Sequence, residues 1–266
     1  MTAPQATPTS VHPDGKAEVI DDFDAIAGRY DLLTRMNPGY LQHLRWSAER
    51  LRLAPGARIL DLCCGTGLST RALMATYPDA QEITGLDASA GMIRFAMDTL
   101  TPGTPRPRGL ARLTTLPAPK TRANVRFVVG DAMDPAAAGA TGPFDGILMA
   151  YGIRNVPNAD HCLAALLPLL APGAPICFHE YSVADSKVAK AVWNAVSLSV
   201  IAPLGIAATR NVRMWNYLRE SVNRMDGVSA FERRLAAHGF TDIETLPMSG
   251  WQRGIVHSFI ARRPRS

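Results

Sequence analysis

"ILDLCCGTGLST", residues Ile59–Thr70, runs from apolar residues into an aspartate, two cysteines and two closely spaced glycines. The apolar part predicts a short buried strand, the glycines a sharp turn, and the residues from Ser69 onward a helix. Three readings compete for it: a nucleotide-binding turn, a metal or redox site on Cys63 and Cys64, or an ordinary tight turn. The chain has four cysteines (Cys63, Cys64, Cys162 and Cys177), with no C-x-x-C spacing. That pattern fits buried thiols in a reducing compartment and gives no paired zinc ligands. A strand, glycine turn and helix instead form a small-molecule site, because Gly65 and Gly67 let a ligand approach the backbone and the helix start offers free N–H groups. The dinucleotide fingerprint wants a third glycine where Thr70 stands. Asp61, just before the turn, would repel a pyrophosphate and suits a ligand carrying an ammonium or sulfonium cation.

The alternation continues outward. "ARILDL", "EITGLD", "VRFVVGD", "FDGILMAYGI" and "APICFHEYS" read as strands. "STRALMATY", "SAGMIRFAMDTL" with Ser89 as N-cap, and "ADHCLAALLPLL" read as the helices between them. "TDIETLPMS" and "GIVHSFIARR" close the chain as a hairpin through Gly250, after helices at Ser186–Ala202, "VRMWNYLRESV" and "SAFERRLAAHGF". The expectation is an α/β fold: a doubly wound, mostly parallel seven-stranded sheet with helices on both faces and an antiparallel closing strand. Asp22–Leu53 reads as one or two helices covering the strand ends. Residues 1–18 read as a flexible tail, and 19–266 as one domain with a Pro/Arg-rich insert at about 101–123.

Two further carboxylates sharpen the site. Asp87 ends the second strand about 20 residues beyond Gly67, the spacing at which a carboxylate accepts hydrogen bonds from ribose hydroxyls. Asp131 ends the third strand, where it can face the amino group of an adenine, and Met92 can pack on the ring. Each aspartate alone could equally be a turn or cap residue. Three in consecutive strand ends point to one ligand, since open sheets bind ligands at the carboxyl ends of their strands. This constellation resembles the class I S-adenosylmethionine-dependent methyltransferases, which implies a Rossmann-like fold, S-adenosyl-L-methionine as cofactor and no metal.

Four other segments carry a narrower resemblance: "FDAIAGRYD", "YGIRNV", "HEYS" and "WNYLRESV". Together they are similar to the ubiquinone/menaquinone-biosynthesis C-methyltransferase family, from about Phe23 to Arg262 apart from the insert. The resemblance implies that Tyr30 lies by the cofactor's carboxylate, that Ala132 and Tyr151 line the cofactor site, and that Arg154, with Asn155, lies at the reacting centre. Arg154 would stabilise a phenolate or orient a water that takes the phenol proton. His179 stands where the family usually has an apolar residue; it reads as a core histidine or as a substrate-side base.

The expected reaction is C-methylation of a quinol or phenol ring, such as demethylmenaquinol or a ubiquinol precursor. The alternative is O-, N- or C-methylation of a soluble natural product. Amino-base methylation of nucleic acid commonly uses an Asn/Asp-Pro-Pro-aromatic segment after the fourth strand. "AYGI" stands there instead, so no nucleic-acid partner is expected. A nicotinamide oxidoreductase is disfavoured by the missing third glycine; a non-catalytic cofactor sensor is separated from an enzyme by turnover.

The net charge of +5 is too small to imply a polyanionic partner by itself. The N-terminal stretch carries no apolar h-region, so the reading is cytoplasmic. Ala191–Ala208 has no charged residue, is borderline in length for a span, and reads as a buried or interfacial helix breaking near Pro203. It could wall an apolar channel and touch the inner membrane face peripherally, with Arg210 and Arg213 near the headgroups. A homodimer is left open.

Overall fold

The structure, a computed structural model, describes residues 33–34, 37–101, 116 and 118–265. Helix α1 (Tyr40–Arg50) precedes β1 (Arg58–Leu62), α2 (Leu68–Thr76), β2 (Glu82–Asp87), α3 (Ala90–Leu100) and β3 (Asn124–Val129). There follow β4 (Gly146–Ala150), α4 (Ala159–Leu166) and β5 (Pro175–Tyr181). Then come α5 (Lys187–Val196), α6 (Ala202–Thr209), α7 (Val212–Arg224), α8 (Val228–Ala237), β6 (Thr241–Pro247) and β7 (Val256–Arg262).

The seven strands form one sheet in the order β3-β2-β1-β4-β5-β7-β6. Strands β1 to β5 are mutually parallel, and β7 runs antiparallel between β5 and β6. The expected architecture holds. Strand order reverses between β1 and β4, so the crevice beyond their carboxyl ends is where a ligand fits.

The strands read as near-continuous apolar runs because both faces are covered. Ile59 and Cys177 point into the core shared with Leu44 and Leu73, on the side of α1 and α2. Leu60, Leu62, Ile176 and Phe178 point into the opposite core with Leu163 of α4 and Phe231 of α8. Helix starts follow local chemistry. Ser89 Oγ accepts from Met92 N at 3.1 Å, Asn158 Oδ1 from His161 N at 3.0 Å, Ser186 Oγ from Ala189 N at 3.1 Å and Asn211 Oδ1 from Met214 N at 3.0 Å. Each such cap is worth about 1 kcal/mol.

One local expectation is narrowed and two are corrected. Within Asp22–Leu53, whose first part lies outside the described residues, helix α1 covers the sheet face at β5 and packs on α2, and only its first turns, through Tyr40 and Leu44, reach the crevice at the strand ends. The helix in "ADHCLAALLPLL" stops at Leu166 and tightens into a 3₁₀ turn over Leu167–Leu169, since Pro168 has no N–H to continue the ladder. The charge-free helix does not break at Pro203. A π turn over Ser197–Ile201 widens the backbone, with Ala202 N donating to Ser197 O, and the chain continues helical to Thr209. Residues Lys187–Thr209 thus form one 23-residue helical rod.

Candidate functional site

A cavity of about 390 Å³ opens at the carboxyl ends of β1, β2 and β4. That is within the size range of small-molecule sites. Gly65, Asp87, Met92, Asp131, Ala132, Tyr151, Arg154 and Asn155 all line it. Tyr30 and the whole "FDAIAGRYD" segment lie outside the described residues, as does most of the 101–123 insert.

The turn after β1 has the geometry its residues dictate. Gly65 and Gly67 have φ of +54° and +86°, in the region L side chains rarely adopt. A Cβ on Gly65 would meet open space, so a ligand can come against this backbone. Gly67 has a different reason: a Cβ there would stand 2.5 Å from Leu100 Cδ1, so the glycine lets α3 pack on the start of α2. Gly67 does not line the cavity.

Asp61 is fully buried just behind the turn, off the cavity wall. Its Oδ2 accepts from Ser69 Oγ at 2.8 Å and Thr70 Oγ1 at 2.5 Å, while Oδ1 has no partner among the described residues. Burial pushes its carboxyl up to about 7, against the two hydroxyl donors that favour the anion. Asp87 anchors the turn: Oδ2 accepts from Gly65 N at 2.9 Å and Oδ1 from Ser89 N at 2.9 Å. It therefore plays the structural role of a turn residue and still stands on the cavity wall. Asp131 lies two residues past the end of β3, exposed, with Oδ1 accepting from Met133 N at 2.8 Å. All three carboxylates act on the half-buried Cys63, whose thiol is pushed well up by desolvation first and by Asp87, Asp61 and Asp131 as well. Cys63 and Cys64 are thus neutral thiols in the wall.

Cys63 and Tyr151, which follow β1 and β4, both have φ of +57°. Such positions cost about 1–3 kcal/mol each and persist where the surroundings over-determine them. The two turns abut, since a Cβ on Gly152 would lie 2.7 Å from Cys63 Cβ. Tyr151 stacks on Tyr40 at 5.5 Å between ring centroids and tilts against Tyr181 at 5.0 Å, giving the cavity an aromatic side.

Arg154 is held beside that aromatic side. Its Nη1 donates to Glu180 Oε1 at 2.7 Å and to Tyr151 O at 2.9 Å, and its guanidinium lies 5.4 Å from the Tyr181 ring centroid. The pair is a buried one, with side chains 5% and 0% exposed. Burial raises Glu180 above the ordinary carboxylate range while Arg154 pulls it back down. Asn155 donates from Nδ2 to Tyr151 O at 2.9 Å and accepts at Oδ1 from Tyr217 at 3.2 Å.

His179 is not brought to the cavity. It is fully buried on β5, with Nδ1 2.8 Å from Ser47 Oγ and Nε2 2.9 Å from Tyr151 Oη. Burial and the nearby His43, Arg50 and His257 drive it down to about 3, so it is neutral and cannot touch a substrate as a base. Glu180, Tyr40 and Tyr217 escaped the sequence reading. A glutamate in a strand buried along its whole length was the available signal for Glu180, since a buried carboxylate requires a buried donor.

The residues fit S-adenosylmethionine. Gly65 opens its backbone to a ligand, the Asp87 carboxylate on the wall would meet ribose hydroxyls, Met92, Val129 and Ala132 would offer an apolar slot for a base, and the buried Asp61 Oδ1 behind the glycine turn sets a negative potential that suits a cationic ligand. Curated relatives agree. The chain is 27% identical over 241 residues to the ubiquinone/menaquinone biosynthesis C-methyltransferase UbiE of Stutzerimonas stutzeri, covering 90% of this chain and 86% of that one. It is 25% identical over 255 residues to UbiE of Shewanella woodyi, covering 92% and 94%. Among solved structures it resembles the putative methyltransferase complexed with the Haloferax volcanii activator Trm112, at TM-score 0.60, 15% identity and coverage of 93% and 98%. It also resembles the [4+2]-cyclase SpnF, at TM-score 0.61, 16% identity and coverage of 94% and 97%. These structural likenesses show the fold, and a cyclase among them shows that the fold alone does not fix the chemistry. Residues 12–261 match the ubiE/COQ5 methyltransferase family, and the chain belongs to that family as an S-adenosylmethionine-dependent methyltransferase.

Proposed function

We propose that the chain methylates a ring carbon of a quinol or phenol, of the kind the UbiE relatives are named for. The observation that carries this is Arg154: a permanently charged guanidinium, fixed by a buried glutamate, on the wall of a cavity whose neighbouring side is tyrosine. When bound, S-adenosylmethionine supplies an electrophilic methyl group. A neutral ring carbon is a poor nucleophile, and transfer of the ring hydroxyl proton to a water oriented by Arg154 makes it a good one. Arg154 stabilises the resulting oxyanion, Asn155 and Glu180 hold its strap in place, and Tyr40 and Tyr151 fix the plane of the ring. Positioning of this kind can supply roughly 7–11 kcal/mol of the barrier. The protein incubated with labelled methyl donor and a panel of demethylated quinols is expected to give ring-methylated products by mass spectrometry. Methylation confined to oxygen or nitrogen of soluble compounds overturns the reading.

The acceptor's apolarity suits a peripheral membrane location, and the helical rod Lys187–Thr209 supports it. Among the described residues, six of the eight exposed large apolar side chains lie on it or just past its end: Val188, Val192, Leu198, Val200, Leu204 and Val212. Its most apolar 18-residue stretch has a mean hydropathy of 1.7, and its length would suffice to cross a bilayer. The rod is packed along one side, with Trp193 fully buried against Tyr181 and Trp215 lying on Gly205, so it lies along a surface rather than through one. Lys187, Lys190, Arg210 and Arg213 are exposed at its two ends, and no acidic residue occurs from Ser186 to Arg219. An anionic bilayer surface matches both the apolar face and the charges. Val200→Asp with Leu204→Asp is expected to weaken sedimentation with phosphatidylglycerol vesicles by roughly tenfold or more, leaving cofactor affinity as it was. Equal sedimentation of the variant counts against lipid contact.

A further inference from the structure

Behind the aromatic side of the cavity runs a row of polar groups that methyl transfer itself does not use. Arg50 on α1 donates from Nη1 to Ser258 Oγ at 2.8 Å. Ser258 Oγ is 2.7 Å from Ser47 Oγ, Ser47 Oγ is 2.8 Å from His179 Nδ1, and His179 Nε2 is 2.9 Å from Tyr151 Oη. Ser47, Ser258 and His179 are fully buried, whereas Tyr151 lies on the cavity wall. A neutral imidazole carries one proton, so one ring nitrogen donates and the other accepts.

The row therefore has two polarities. Run outward, Tyr151 donates to His179 and His179 to Ser47. One of the two serines must then accept twice, while one hydroxyl hydrogen finds only a weak acceptor, the Cys177 thiol beside both. Run inward, each hydrogen from Arg50 to His179 meets an oxygen or nitrogen, and the Tyr151 hydrogen alone is left for whatever occupies the cavity. A guanidinium can only donate, and a charged donor strengthens the bonds it feeds.

We propose that His179 is a positioning residue that stands as the Nε2–H tautomer and donates to Tyr151, so that Tyr151 offers its O–H to an oxygen of the acceptor in the cavity. The tautomer stands whatever the acceptor is; the oxygen rests on the quinol or phenol reading above. Paired with Arg154, this gives the acceptor oxygen one charged and one neutral donor.

Full-length protein with ¹⁵N-labelled histidine rings tests the first part directly. Long-range proton–nitrogen correlations are expected to show the Nε2–H pattern for His179, identified by its loss in His179→Gln; the Nδ1–H pattern overturns the proposal. Kinetics test the second part. Tyr151→Phe is expected to raise the acceptor KM roughly tenfold, about one hydrogen bond. His179→Phe is expected to do the same alone and to add nothing in the Tyr151→Phe background, with His179→Gln recovering part of the loss through its amide N–H. Additive losses overturn the coupling. An Nε2–H pattern in a protein that turns over no quinol or phenol leaves the tautomer standing and refutes the acceptor.

Discussion

Glu180→Ala is expected to cost the folded protein about 3–5 kcal/mol, because it strands the Arg154 guanidinium in the interior. The Nη1 to Oε1 distance is 2.7 Å and both side chains are almost wholly out of water. Removing either partner forfeits the Coulomb attraction while the desolvation cost of the survivor stays. At about 2–4 °C per kcal/mol for a domain of this size, melting should fall by roughly 6–20 °C. Arg154→Met should fall comparably, leaving Glu180 unpaired. The double variant Arg154→Met with Glu180→Leu separates structure from chemistry. It replaces the pair with apolar groups and should regain most of the lost stability. Its kcat should nonetheless remain about 10²–10³-fold low, the usual loss for one oxyanion donor. A double variant that regained turnover as well as melting temperature would reduce Arg154 to a structural residue. Melting curves and steady-state rates on the four proteins settle the matter.

Asp61→Asn is expected to have the second large effect, in opposite senses on stability and on binding. The Asp61 carboxyl is held up to about 7 from an ordinary 3.8, chiefly by burial. The native state therefore keeps its proton to higher pH than the unfolded chain does. Below 3.8 both states are protonated and the group costs nothing; between 3.8 and 7 the native state holds the extra proton, and stability falls as pH rises; above 7 the full penalty stands. At 1.36 kcal/mol per unit the penalty is roughly 4 kcal/mol. Asparagine still accepts from Ser69 and Thr70 and carries no charge to desolvate. Urea unfolding of the cofactor-free protein should thus show Asp61→Asn more stable than the parent by a few kcal/mol at pH 8 and by little at pH 4. Calorimetry should show S-adenosylmethionine bound roughly tenfold more weakly, through loss of the carboxylate's negative potential behind the turn rather than of a direct contact. A parent protein whose stability is flat from pH 4 to 8 would show that Asp61 is not buried as an acid.

The fold was legible in the sequence because its signals are local. Apolar runs of strand length, the Ser89 cap and the glycine turn each announce themselves within a few residues, and a parallel sheet with covered faces follows from their alternation. Asp87 and Asp131 were legible on the cavity wall for the same reason, each marking the carboxyl end of a strand or the turn beyond it, whereas Asp61 stands one layer behind, buried by Ser69 and Thr70. The partners of these residues were not. Glu180 meets Arg154 across 26 residues and Ser47 meets His179 across 132, and nothing local to either segment fixes such a meeting. His179 illustrates the difficulty: its chemistry suggests a base, and only its burial and its two neighbours show a silent one. Pro203 was misjudged because local propensity favours a break, whereas packing by Trp193 on one side and Trp215 on the other holds the helix together.

The extra residue accommodated over Ser197–Ile201 sets the rotational phase of the rod. Trp193 and Gly205 are 12 positions apart. In an unbroken α-helix they would point roughly 120° away from each other, but with one residue absorbed by the wider turn the offset shrinks to roughly 20°. That is why Ala189, Trp193 and Ser197 share one buried stripe with Ala202, Gly205 and Thr209. Deleting a single residue there would restore ideal winding without disturbing that alignment, whereas straightening the helix at full length would swing its second half outward and turn the greasy side of that half from solvent toward the enzyme.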